Sequence, residues 1–179
     1  IQYCDFQWSP NSSEIIFVSK TGNFIPWMRE YKIWKMNADG SDKILLVDPG
    51  RHPEWSPDGT KIAYTAGNLF SSVVVMNSDG SGKITLALLS LDYSYLEPRW
   101  SPNGLKIAYK KCRNYRSGPA YPDICIMNAN GSGKIQLTTS GKTGNLDWSP
   151  DNLTIIYVDD KAIWKVHIDN SEKTKLTTD

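Results

Sequence analysis

Two histidines, three cysteines and three Asn-x-Ser/Thr sequons are the residues in this 179-residue chain whose types suit chemistry. A hydrolytic triad needs a nucleophile, a general base and an orienting acid. His52 stands just before a Trp-Ser-Pro, and His167 ends an alternating run. Neither belongs to a catalytic motif, and no Gly-x-Ser-x-Gly elbow occurs. Gly141-Lys142-Thr143 has the ending of a phosphate loop, but Gln136 stands where that loop needs glycine and no helix follows. The turns Asn37 to Ser41 and Asn77 to Ser81 place alternating oxygens around an Asp-Gly as a calcium loop does, yet they lack its length and its terminal glutamate. The basic run Lys110 to Arg116 holds one aromatic, Tyr115, and the formal net charge of the chain is only +1. That balance gives no general field for nucleic acid. No catalysis, cofactor, metal or nucleic-acid partner is therefore expected.

Cys112 and Cys125 flank a long loop and are the candidate disulfide, conditional on an oxidising compartment, with Cys4 left single. The sequons fall at Asn11, Asn130 and Asn152, which are glycosylation candidates if the chain is extracellular in a glycosylating organism.

The elements that position these residues come from a repeat. Trp-Ser-Pro occurs at Trp8, Trp55, Trp100 and Trp148, at spacings of 47, 45 and 48 residues. Periods in this range mark stacked units of a few strands. In the second copy, His52 to Trp55 reads as a strand and Ser56-Pro57-Asp58-Gly59 as a tight turn: Pro presets φ, Asp bonds the backbone, and Gly accepts positive φ. Lys61 to Tyr64, Val73 to Asn77 and Lys83 to Leu86 read as three further strands, with a turn at Ser78-Asp79-Gly80-Ser81. The other copies keep this order. Asn152 and Ser12 replace the turn glycine in copies four and one; Ser suits left-handed geometry poorly, so the first turn is expected to be rearranged. No stretch carries a sustained helical period, and the longest apolar runs are about five residues, so no membrane insertion is expected. Hydrophobic residues at 40% and charged residues at 22% are ordinary for a globular domain.

Trp-Ser-Pro-Asp-Gly-x-Lys-Ile-Ala-Tyr, then apolar-Met-Asn-x-Asp-Gly-Ser and Lys-Ile-x-Leu, resembles the TolB-like β-propeller repeat, a WD-like repeat with a Pro-Asp signature. The resemblance runs through all four copies. It implies an all-β chain of four four-stranded antiparallel blades, near 1–48, 49–90, 91–140 and 141–179, with the Trp-Ser-Pro strand innermost. It also implies a periplasmic or extracellular setting, consistent with a chain that opens on Ile1 and reads as a mature or excised product. Propellers of this family commonly carry more than four blades. Three arrangements follow: a closed four-bladed ring, an arc of a larger ring, or an open array.

In this topology the turns after the first and third strands share one end, and the longer connections share the other. Those connections, Lys20 to Glu30, Lys110 to Pro122 and Leu88 to Glu97, hold most of the length variation. They and the neighbouring loop of copy two carry Phe24, Trp27, Met28, Phe70, Tyr93, Tyr95, Tyr115 and Tyr121, the candidate binding residues. Variable loops on a rigid scaffold are where binding concentrates, and aromatics are common anchors. The expected function is a non-catalytic module for a protein or glycan partner. A self-assembling structural repeat and an accessory propeller of an enzyme are the alternatives.

Overall fold

The computed structural model describes residues 1–22, 30–68, 70–114 and 122–177. It contains sixteen strands in chain order. Blade 1 comprises β1 (Gln2–Trp8), β2 (Glu14–Thr21), β3 (Glu30–Asn37) and β4 (Ile44–Val47). Blade 2 comprises β5 (Gly50–Trp55), β6 (Lys61–Ala66), β7 (Ser72–Asn77) and β8 (Ile84–Ala87). Blade 3 comprises β9 (Tyr93–Trp100), β10 (Lys106–Arg113), β11 (Pro122–Asn128) and β12 (Ile135–Gln136). Blade 4 comprises β13 (Thr143–Trp148), β14 (Thr154–Asp159), β15 (Ala162–His167) and β16 (Lys173–Lys175). Each sheet is a meander of sequential antiparallel strands.

The Trp-Ser-Pro serine is a clamp at every first turn. Its hydroxyl donates to the side-chain oxygen two residues on, at Asn11 (2.8 Å), Asp58 (2.6 Å), Asn103 (2.8 Å) and Asp151 (2.5 Å). Its oxygen accepts the backbone N–H that opens the second strand, at 2.9–3.0 Å. The first turn is not rearranged. Ser12 adopts φ 60° and donates its N–H to Ser9 O at 2.9 Å, as Gly59 does to Ser56 O at 2.8 Å. The hydrogen-bonded frame around it outweighs the left-handed cost of one small residue.

Side chains of each sheet alternate between a front face, toward the preceding blade, and a back face, toward the next. Ile16, Val18 and Ile33 on the back of blade 1 meet Trp55, Ile62, Tyr64 and Met76 on the front of blade 2. Val73, Val75 and Leu86 then meet Trp100, Ile107 and Met127. Ala108, Ile124 and Ile126 meet Trp148, Ile155 and Val166. No such cluster joins blade 4 to blade 1 among the described residues. The arrangement is an open arc, so the closed four-bladed ring is not what forms. Burial shows why: Trp55, Trp100 and Trp148 are 4–7% exposed, whereas Trp8 is 55% exposed because no sheet covers it. At the other end, β14 alternates between buried and exposed while β6, covered on both faces, is buried along its centre.

Candidate functional site

The described part of the loop end is organised between blades 2 and 3. Asn114, buried at the end of β10, donates its amide N–H groups to Ser90 O and Leu91 O at 2.9 Å and accepts from Ser94 Oγ at 2.7 Å. Its backbone N–H donates to Asp92 O at 2.8 Å. One side chain thus fixes the linker between the blades. Beside it, Arg51 donates to Asn68 O (3.1 Å) and Ser71 Oγ (3.2 Å), fixing the loop before β7. These anchored loops leave Phe70, Leu88, Leu89 and Leu91 exposed, Leu91 to 87%. Apolar side chains held out on a fixed backbone are ready for contact at little ordering cost.

Nearer the axis lies a polar cluster. Asp5, His52 and Glu97 stand three residues before successive tryptophans, each with φ near 50° (48°, 50° and 51°). Each lies in an irregular stretch of the ladder, where β-bulges re-aim side chains. Glu97 accepts from Lys110 Nζ at 2.5 Å, and its N–H donates to Thr65 Oγ1 at 3.0 Å. His52 Nδ1 lies 3.3 Å from the same fully buried hydroxyl. Burial pushes the His52 imidazole below its ordinary value; the Glu97 carboxylate opposes this and the Arg51 cation adds to it. In the same seam, between blades 2 and 3, Glu54 accepts from Trp100 N (2.9 Å) and Arg99 Nη1 (2.6 Å), and burial raises its carboxyl although Arg99 pulls the other way. Lys110 and Glu54 are both paired, and the bonds from Glu97 N to Thr65 and from Trp100 N to Glu54 tie blade 3 to blade 2. Among the described residues, no three His, Cys, Asp or Glu side chains gather as a metal site.

The other expected residues separate. Tyr93 is half-buried under Lys111, whose Nζ is 4.1 Å from the ring centroid. Tyr95 packs edge-on against Tyr109, ring centroids 5.9 Å apart, in the seam between blades 2 and 3. Tyr95 is therefore a packing residue. Phe24, Trp27, Met28, Tyr115 and Tyr121 lie outside the described residues. Asn11 and Asn130 are exposed at the turn end, with their side-chain oxygens in local turns. Asn152 is half-buried, and its Oδ1 accepts from Asn103 N of blade 3 at 2.8 Å. His167 Nδ1 lies 2.7 Å from Asp169, within the last turn.

The disulfide between Cys112 and Cys125 does not form. In the β10–β11 ladder Cys125 faces Tyr109 and Cys112 faces Pro122, three positions out of step. An odd offset puts the thiols on opposite sides of the sheet. Both are free and buried, and burial pushes each up to about 11. Sequence reasoning missed the leucines of the linker because aromatics drew the attention. It also missed the bulge residues, whose signal was a polar side chain at one fixed position before each tryptophan.

Four-stranded meanders packed face to face about an axis define a β-propeller, here present as an arc. The chain belongs to the TolB β-propeller domain family, whose family model matches residues 6–179. No curated protein matches the sequence. Among solved structures it is similar to a putative TolB from Agrobacterium tumefaciens (19% identity, TM-score 0.75), covering 99% of this chain and 62% of that one. It is similar to an oligogalacturonate lyase from Vibrio parahaemolyticus (12%, TM-score 0.70), covering 93% and 51%. It also resembles a puromycin-hydrolyzing peptidase from Mycobacterium tuberculosis (17%, TM-score 0.74), covering 99% and 31%. The chain thus spans less than two thirds of each of these structures, and at these identities the likeness is one of fold.

Proposed function

We propose that this chain is a non-catalytic binding module of the periplasm or the extracellular space that takes a protein partner on its loop end. The observation that carries the reading is the exposed set Phe70, Leu88 and Leu91 on loops locked by Arg51 and Asn114. Rigid apolar anchors ringed by polar groups are what protein contacts concentrate on. The setting rests on the likeness to TolB proteins. An accessory role beside a catalytic domain is the second reading, supported by the peptidase structure of which this chain spans 31%.

The test is selection of binders from a displayed peptide library on the immobilised chain, followed by titration against three variants. Leu91→Asp and Trp27→Ala are expected to weaken the selected peptides at least tenfold, and Asn103→Ala, on the turn end, to leave them unchanged. The opposite pattern would place the binding surface on the turn end and sink the reading.

A further inference from the structure

The seam between blades 2 and 3 is not filled as the seam before it is. It holds a cleft of about 440 Å³ whose floor is the front face of blade 3 and whose roof is Ala87 and Leu88 at the end of blade 2. We infer that this cleft binds a small organic acid, its carboxylate held by Lys111 and Lys134 and its apolar body lodged under Ala87 and Leu88.

The repeat supplies the comparison. Between blades 1 and 2 the same positions are apolar and closed. Gly50 stands where a side chain has no room: a Cβ there would lie 2.6 Å from Val47 Cγ1 and 2.9 Å from Ile33 Cδ1. Val74 lies in that core and Ala66 packs against it. In blade 3, Tyr95 takes the position of Gly50, and the smaller Val73 and Ala87 of blade 2 take those of Ile33 and Val47. Lys111 takes the position of Ala66, Cys125 that of Val74 and Gln136 that of Thr85. One seam later Trp164 takes the position of Cys125 and packs onto the core there. The exchange for smaller and more polar side chains is thus confined to one seam, and the cleft is what it leaves.

The cleft carries positive charge that the protein does not neutralise. Lys32, Lys35, Lys110 and Lys142 each face a carboxylate. Among the described residues, Lys111 and Lys134 face none. Lys83, at the repeat position of Lys134, crosses its seam to Leu46 O at 3.1 Å; Lys134 makes no such bond to Leu86 O and lines the cleft instead. Lys111 Nζ is steadied by the Tyr93 ring, 4.1 Å to its centroid, and by Gln136 Oε1 at 3.4 Å. Asp123 pairs with Lys111 in the β10–β11 ladder, but its oxygens accept from Gly141 N at 3.0 Å and from Thr138 Oγ1 and Gln136 Nε2 at 3.2 Å. Burial raises the phenols of Tyr95 and Tyr109 and pushes Cys125 up to about 11, so none of the three opposes the lysines at neutral pH. An ammonium is a point charge that takes a carboxylate without demanding one geometry. A concave site of this size, with apolar walls and a few polar groups, suits a small molecule. The apolar roof disfavours inorganic phosphate, which would lose hydration there without gaining a partner.

The experiment is a chemical-shift titration of the isotope-labelled chain with hydrocinnamate, with its neutral amide and with inorganic phosphate. The acid is expected to saturate and to shift the backbone amides of Leu88, Lys111 and Gln136. Its amide is expected to bind about tenfold more weakly, as the loss of a charge-assisted contact implies. Lys111→Met and Lys134→Met keep the hydrocarbon stems, and each is expected to weaken the acid by about three- to tenfold. Lys83→Met, in the other seam, and Leu91→Asp, in the linker, are expected to leave it unchanged. Spectra unaltered away from the substitution report that each variant is folded. The proposal is overturned if the acid produces no saturable shift at those amides, if the neutral amide or phosphate binds as tightly as the acid, or if neither lysine variant weakens it. Leu91→Asp weakens the peptides of the loop-end reading and is silent here, so the two readings fail separately.

Discussion

Glu54 offers a prediction for which the repeat supplies its own control. Its carboxylate, 12% exposed, accepts Trp100 N and Arg99 Nη1 across the seam between blades 2 and 3. One repeat earlier, the neutral Gln7 accepts Trp55 N with the same geometry, 2.9 Å. The seam therefore needs an acceptor at this position and not a charge. In Glu54→Ala the Trp100 N–H loses its partner inside a packed interface, which costs about 1–3 kcal/mol. The freed Arg99, 42% exposed, rehydrates, so the lost ion pair adds only about 0–1 kcal/mol. The expected loss is roughly 1–4 kcal/mol. At about 2–4 °C per kcal/mol for a chain of this size, the melting temperature falls by roughly 2–16 °C. Glu54→Gln keeps the acceptor, gives up the ion pair and removes a desolvated carboxylate; its net change is expected within about 1 kcal/mol. The pH dependence provides a second readout. Burial raises the Glu54 carboxyl in the folded state above its ordinary value of 4.5, so its contribution is fully present below that value and is lost as pH rises through the higher folded one. The Gln variant lacks this loss, so relative to wild type it fares better at pH 7 than at pH 4. Urea unfolding of the three proteins at both pH values decides the matter. If Glu54→Gln proves as costly as Glu54→Ala, the charge and not the acceptor holds the seam, and the reasoning fails.

Two further outcomes follow from the site chemistry. Under native conditions a maleimide is expected to modify half-buried Cys4 well before Cys112 or Cys125, both buried and raised to about 11. After exposure to oxidised glutathione, non-reducing peptide mapping is expected to find no bridge between Cys112 and Cys125, and finding one would require a different register in β10 and β11. The turn aspartates set the acid limit. Hydrogen bonds from Ser56, Ser149 and Ser171 hold Asp58, Asp151 and Asp169 below their ordinary 3.8, Asp169 at about 2. Their contribution is present above 3.8 and is lost as pH falls through the lower folded values. Denaturation midpoints measured from pH 5 to pH 2 should drop over that window, and Asp58→Asn, which copies Asn103, should shallow the drop.

The parts of the fold that were legible in the sequence are those decided within a few residues. Pro57, Asp58 and Gly59 set their turn locally, and the run Val73 to Met76 announced a strand covered on both sides. The errors arose where a residue depends on hydrogen bonds or pairing that its own type does not announce. Ser12 reads as a poor turn former until the hydroxyl of Ser9 and the oxygen of Asn11 are seen to frame it. Cys112 and Cys125 lie on neighbouring strands, but pairing depends on register, and one odd offset reverses a side chain's face. Closure was beyond reach for the same reason. Trp8 and Trp55 occupy equivalent positions of the repeat, and the presence of a neighbouring sheet separates an exposed indole from a buried one. At the loop end, the sequence pointed to the long connections. Burial then divides their side chains, with Tyr95 inside and Leu91 outside.

The seams between successive blades also govern how the molecule comes apart. Among the described residues, each core cluster joins a sheet to its neighbour in sequence, so the arc behaves as a short one-dimensional stack. Opening blade 1 or blade 4 breaks one seam, whereas opening blade 2 or blade 3 breaks two. Amide protons in β6, β7, β10 and β11 should therefore be the last to exchange with deuterium, while those of β1 and β16 exchange through fraying that leaves the centre intact. Docking a sheet on the naked faces would flatten that gradient. The slowest-exchanging protons then report the state of the ends, far from where they sit.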